Sequence, residues 1–66
     1  MHLNYVIRWD DVYLTEFTDE PWWGFRDESK RFTRDDARIT ARRVRRVLGS
    51  EADVAVVRLV KKRRVA

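Results

Sequence analysis

Residues 3–17 read LNYVIRWDDVYLTEF, and this stretch decides the fold. Apolar and polar side chains alternate with a period of two on both sides of Asp10-Asp11, and β-branched and aromatic residues are frequent, as is typical of strands. Asp10-Asp11 itself is a turn signal, although a weaker one than Asn-Gly. The pattern therefore predicts a strand at residues 3–9 and a second strand at residues 12–17, joined as an antiparallel hairpin.

A two-residue turn also predicts the register of this hairpin. The expected cross-strand pairs are Trp9–Val12, Ile7–Leu14 and Tyr5–Glu16. One face of the hairpin then carries six large apolar side chains: Leu3, Tyr5, Ile7, Trp9, Val12 and Leu14. The other face carries Val6, Arg8, Tyr13, Thr15 and Phe17. We expect the first face to form the core.

Residues 18–32 are predicted to be a long aromatic loop, because they contain the only proline, Pro21, and one of the two glycines, Gly24. The segment also holds Trp22, Trp23 and Phe25. Two interpretations are open. The rings either close the open end of the core or form a contact surface, since long loops in compact domains are often functional.

A helix is predicted at residues 33–48. Thr33 is a suitable N-cap with Asp36 three residues later, and Gly49 is the expected residue after the last turn. At 100° per residue, one helix face is apolar or small and should pack on the sheet. Its residues are Ala37, Thr40, Ala41, Val44, Val47 and Leu48.

A last strand is predicted at residues 52–62, followed by a basic tail at 61–66. Both faces of this strand are apolar, as in a strand that is buried on both sides or covered by another subunit. The prediction is thus a single α+β domain, residues 1–66, of β-β-α-β type. It has a three-stranded sheet in the order 2-1-3 with one helix packed on one face, because right-handed crossover connections favour that arrangement.

The composition narrows the classes of function. The 66 residues include no cysteine and one histidine, His2, so disulfides, metal sites and cofactors are not expected. No leader peptide and no apolar run of the roughly 20 residues that a membrane span needs can be found, which predicts a cytoplasmic protein without membrane association. Nucleophilic catalysis is not expected either, because the only serines are Ser29 and Ser50. The adjacent acid pairs, such as Asp19-Glu20, would point to opposite faces of a strand.

Charge is distributed unevenly along the chain. The net charge is +4, nine of the eleven carboxylates lie in residues 1–36, and ten of the fifteen basic residues lie from Ala37 onward. Arg38, Arg42 and Arg45 form a stripe along the predicted helix, with Ile39 exposed beside it. Three interpretations of this stripe are open: a solvated helix face, a surface that binds the carboxylates of a protein, or a surface that binds the phosphates of a nucleic acid.

Two binding hypotheses follow, and neither is an enzyme. In the first, the protein docks on a protein partner through the arginine-rich helix face and the tryptophan-bearing loop, using Arg38, Ile39, Arg42, Arg45, Arg46, Trp22 and Trp23. In the second, it binds nucleic acid, using Arg38, Arg42, Arg45, Lys61, Lys62, Arg63 and Arg64. Self-association as a homodimer or larger is also expected, through the sheet face that one helix leaves uncovered or through an edge strand.

The chain resembles a group of small phage and prophage accessory proteins. The resemblance is carried by Tyr5-Val6-Ile7-Arg8, by Val12-Tyr13-Leu14-Thr15, by the tryptophan-bearing loop, and by the helix entry Lys30-Arg31-Phe32-Thr33-Arg34-Asp35-Asp36-Ala37. It implies a β-β-α-β protein that binds host machinery or nucleic acid, and it implies no activity for particular residues. The hypothesis favoured here is the protein-binding one.

Overall fold

Four antiparallel strands and one α-helix form the part of the chain that the computed structural model describes, residues 3–59. In chain order they are β1 (Tyr5–Trp9), β2 (Val12–Phe17), β3 (Pro21–Gly24), a 3₁₀ turn (Arg26–Glu28), α1 (Arg34–Leu48) and β4 (Val54–Arg58). The sheet order is β3-β2-β1-β4. The α+β class and the central place of the first strand are therefore confirmed.

The prediction of three strands is wrong, because residues 21–24 add a fourth strand at the edge of the sheet. Pro21 and Gly24 suggested a loop. However, proline is tolerated at the first residue of an edge strand, where its missing N–H breaks no ladder, and glycine here ends the strand. The last strand is shorter than predicted, Val54–Arg58 instead of 52–62, and the predicted tail at 61–66 lies outside the described residues.

The hairpin turn is formed as predicted. Trp9 pairs with Val12 and Arg8 pairs with Tyr13. Asp10 adopts a φ of 56°, and aspartate tolerates this left-handed conformation because its short side chain can bond to nearby backbone. The turn residues thus produce the expected register next to the turn.

Further from the turn, β1 and β2 separate, and the predicted pair Tyr5–Glu16 is wrong. Phe32 takes the place beside Tyr5, and the two residues exchange hydrogen bonds of 3.0 and 2.8 Å. On the other side of the gap, the Lys30 N–H donates to the carbonyl of Leu14 at 2.9 Å. The segment before the helix is therefore inserted between the two hairpin strands.

β2 carries an irregularity between Leu14 and Glu16, where its pairing with β3 shifts by one residue. A bulge of this kind reverses the alternation beyond it. Phe17, predicted on the outer face, consequently turns to the helix side and packs against the core. That part of the face prediction is wrong.

The core lies between the sheet and α1. Ile7 and Leu14 from the sheet and Ala37, Ala41 and Val44 from the helix are all 0% exposed. The two alanines let the helix approach the strands closely. Phe32 and Val54 complete the cluster. Leu3, predicted in this core, is instead exposed at 53%, because it precedes β1 and none of the described elements covers it.

The helix begins and ends where predicted. The Thr33 hydroxyl accepts a hydrogen bond from the Asp36 N–H, and Gly49 at φ 105° bonds back to the Arg45 carbonyl. Val47 was expected in the core but is 52% exposed. It lies about 80° around the helix axis from Ala37, at the margin of the face that covers the sheet.

Candidate binding surfaces

A groove runs between α1 and the edge strand β4. It has a volume of about 420 Å³ and is lined by Arg38, Ala41, Arg42, Arg45 and Val56. A smaller concavity of about 280 Å³ continues it at the end of the helix, sharing Arg42 and Arg45 and adding Arg46, Gly49 and Ser50. We call the lining side chains Arg38, Arg42, Arg45, Arg46 and Val56 the arginine groove.

Helical geometry explains why these arginines lie together. Arg38, Arg42 and Arg45 follow one another at intervals of four and three residues, which keeps them on one flank of the helix. This flank faces β4, since Arg38, Arg42 and Arg45 line the groove together with Val56, and Arg45 bonds to the start of the strand. The predicted arginine stripe is thus assembled in the structure, with Val56 of β4 as its apolar floor.

Arg45 is also a structural contact. Its Nη2 donates a hydrogen bond of 2.6 Å to the Val54 carbonyl, at the start of β4. The bond fixes the end of the helix to the edge strand and places the guanidinium at one end of the groove. The sequence pattern indicated a free arginine here, since the bond depends on the distance between helix and strand.

Among the residues that the structure describes, four arginines and no acidic residue line the arginine groove. Asp19 and Glu20 precede β3, and Asp27 and Glu28 lie in the 3₁₀ turn after it. Other carboxylates are nearer to the groove in the chain: Asp35 and Asp36 lie in the first turn of α1, and Glu51 and Asp53 lie in the connection from α1 to β4. The arginines of the groove thus form a local cluster of positive charge, with Glu51 and Asp53 following it in the chain.

Ile39 is 58% exposed, as predicted, but it is not part of the groove lining. It lies about 100° around the helix from Arg38, so it borders the arginines on the outer side of the helix. Arg43 lies on the other flank, where its guanidinium is 5.2 Å from the centroid of the Phe17 ring. Sequence reasoning missed this cation–π contact because Phe17 was expected on the opposite face.

The two predicted tryptophans have different environments. Trp23 packs against the core with its ring centroid 5.3 Å from that of Trp9. Trp22 is 54% exposed, and by strand alternation it points to the opposite face of the sheet. The exposed aromatic rings of this segment are thus Trp22 and Phe25, of which Phe25 is 77% exposed.

The structure does not bring the tryptophans and the arginines together. β3 and β4 are opposite edges of the sheet with two strands between them, so their backbones are separated by about 14 Å, three strand spacings. Lys61, Lys62, Arg63 and Arg64, which the nucleic-acid hypothesis also used, lie outside the described residues.

The described residues also bear on two other kinds of site, a metal site and a membrane-spanning helix. Within residues 3–59, no group of three or more acidic, histidine or cysteine side chains is placed to hold a metal ion. None of the helices described is long and apolar enough to cross a membrane. Comparison with known proteins gave no match to a family model, to a curated protein or to a solved structure.

Proposed function

We propose that this chain is a small non-enzymatic binding protein that docks on an acidic surface of a protein partner through the arginine groove. One observation carries the proposal: arginines at four helix positions line the groove, and none of the residues within 3–59 that line it carries a carboxylate. A planar guanidinium can bind a carboxylate through two parallel hydrogen bonds, which gives specificity as well as charge attraction.

A protein partner suits the groove better than a nucleic acid does, for two reasons. Val56 and the neighbouring Ile39 provide apolar contact beside the arginines, and protein interfaces combine arginine with apolar anchors. The carboxylates around β3 would repel an extended phosphate backbone that reached across the sheet. The resemblance to small phage proteins agrees with a protein partner from host machinery, and that part of the proposal depends on the resemblance alone.

The test compares a glutamate-rich peptide with single-stranded DNA, duplex DNA and RNA, each labelled, by fluorescence anisotropy at about 150 mM salt, where surface charge is screened beyond about 8 Å. We expect the peptide to bind and the double variant Arg38→Glu/Arg42→Glu to bind at least about tenfold more weakly. The control Arg26→Glu/Arg31→Glu makes the same change in net charge at exposed residues outside the groove, and it should retain binding.

Three outcomes would contradict the proposal. Equal losses in the two double variants would mean that only net charge matters. Binding of a nucleic acid that is tighter than that of the peptide, and sensitive to the Arg38/Arg42 reversal, would establish the nucleic-acid hypothesis instead. If none of the probes binds, the groove is not a binding site for anionic partners.

A further inference from the structure

We propose that the outer edge of β4, which pairs with no other strand within residues 3–59, takes up an acidic segment of the partner in extended conformation, as a fifth strand of the sheet. The inference rests on the proposed function and specifies its partner: a peptide segment with carboxylates at alternate positions. It follows from the direction of the β4 backbone groups, from the spacing of the arginines above them, and from the charge of the groove.

The hydrogen bonds around β1 show which backbone groups of β4 point outward. The Leu59 N–H donates to the Asn4 carbonyl, whereas both backbone groups of Tyr5, the partner of Arg58, are directed away from β4 towards Phe32. In an antiparallel pair these two directions alternate from residue to residue. Ala55 and Val57 therefore bond towards β1, as Leu59 does, and the intervening residues Val54, Val56 and Arg58 face the open edge.

The hydrogen bonds of Val54 agree with this outward direction, and they occupy the backbone groups at the first residue of β4. Its carbonyl accepts the bond from Arg45, and its N–H donates to the Ala52 carbonyl at 2.9 Å. Val56 and Arg58 retain outward-directed N–H and carbonyl groups, and no hydrogen bond to them is found within residues 3–59. They offer two donors and two acceptors in the alternating pattern that an incoming strand requires.

The arginines above this edge have a spacing that suits a strand. Arg38 and Arg42 are one helical turn apart, about 6 Å along the axis. Alternate residues of a strand are about 6.7 Å apart and point to the same face. A strand added to β4 would therefore direct every second side chain towards the arginines, and carboxylates at those positions would meet Arg38 and Arg42 in succession.

Charge also decides between a foreign segment and a second copy of this chain. Pairing of two β4 edges would bring Arg58, Arg38 and Arg42 of both copies together, with the basic residues 61–64 following directly in the sequence. Like charges in such proximity are unfavourable. An acidic segment of another protein is favoured by the same charges, so it is the occupant that we propose.

The experiment uses a labelled heptapeptide with glutamate at alternate positions and valine or threonine between them. Two further versions carry N-methyl groups, one on the glutamate nitrogens and the other on the intervening nitrogens. Only one of these two sets can face β4 in an added strand. We expect one version to bind at least about tenfold more weakly than the unmodified peptide, because it loses several backbone hydrogen bonds, and the other to bind normally.

A matched pair of protein variants tests the same contact from the other side. Arg58→Ala and Arg58→Pro remove the same charge at an exposed position, but only the proline also removes the outward-directed N–H. An edge strand tolerates proline at such a position, because that N–H pairs with no other strand. Arg58→Pro should weaken binding more than Arg58→Ala does. Hydrogen exchange of the Val56 and Arg58 amides should slow when the peptide binds.

The outcomes separate this inference from the proposed function. If the peptide binds in an Arg38/Arg42-dependent manner but both methylated versions bind equally, strand addition is wrong and the groove remains a charge-based site. Equal weakening of both versions contradicts strand addition too. If the unmodified peptide does not bind at all, both strand addition and the proposed binding of acidic partners by the arginine groove are wrong.

Discussion

Arg45 shows how one side chain can belong both to the fold and to the candidate site. Its guanidinium bonds to the carbonyl of Val54, which is one of the outward-facing groups of the edge strand. The bond reduces the length of exposed edge, in the way that natural sheets limit unwanted pairing. Arg46, one residue later, lines the same concavity but has no comparable bond in the described structure.

Replacing Arg45 by alanine should therefore lower stability, whereas Arg46→Ala should not. The Arg45 bond joins an ionised donor to the carbonyl of a buried residue in a partly buried setting, and its loss should cost about 1 kcal/mol, or about 4–8 °C in Tm for a domain of this size. Thermal unfolding followed by circular dichroism measures both variants. Equal Tm values would show that the bond contributes nothing to stability.

At the scale of elements, local signals account for the helix and the turn, but not for the pairing of β2. Thr33, Asp36 and Gly49 are local signals, and α1 has the ends that they indicate. β2 has two competing partners, β1 and the segment around Phe32. Burying the Phe32 ring, which is 7% exposed, favours the second partner beyond Leu14, because a large ring removed from water outweighs continuation of the hairpin ladder.

The helix cap provides a prediction at this scale. Thr33→Ala removes the acceptor of the Asp36 N–H and should cost about 1 kcal/mol of unfolding free energy. Thr18→Ala, at an exposed position in the bend before β3, is the control and should leave the free energy within about 0.5 kcal/mol of the original. Urea unfolding monitored by tryptophan fluorescence distinguishes the two. A Thr33→Ala variant as stable as the control would mean that water replaces the cap.

At the scale of the whole molecule, the single helix covers one face of a four-stranded sheet. On the other face, Val6 is fully buried beside its partner Val57, so part of this face is already enclosed. Ala55, Val57 and the exposed Trp22 remain accessible there to different degrees. Apolar surface of this kind on a small domain favours association with another copy.

Self-association through this face is the corresponding prediction. Light scattering at high micromolar concentration should give a mass above the 8.0 kDa of one chain, falling as the protein is diluted. Trp22→Glu should shift the equilibrium to the monomer. Ile39→Glu, which introduces the same charge on the helix, should not. A monomeric mass at every concentration would contradict the prediction.

The candidate site was predictable in part. The arginine stripe and the exposure of Ile39 follow from helical period alone, and so both were accessible from the sequence. The groove was not, because it needs Val56 and the distance between α1 and β4. We also expected the arginines and the tryptophans Trp22 and Trp23 to form one surface, which required the segment that carries the tryptophans to be a loop that could reach the helix. The structure instead places Trp22 and Trp23 in β3, at the edge of the sheet opposite β4.

The sequence by itself determined the period of β1, β2, α1 and β4, the turn at Asp10-Asp11 and the cap at Thr33, because these depend on neighbouring residues only. Tertiary structure decided the insertion of Phe32 between β1 and β2, the bulge that turns Phe17 inward, and the open edge of β4 beneath the arginines. The insertion of Phe32 arises because segments distant in the chain compete for the same hydrogen bonds and buried space, and the groove above the β4 edge depends on the distance between α1 and the sheet. The outcome depends on how the whole core packs, which no local pattern contains.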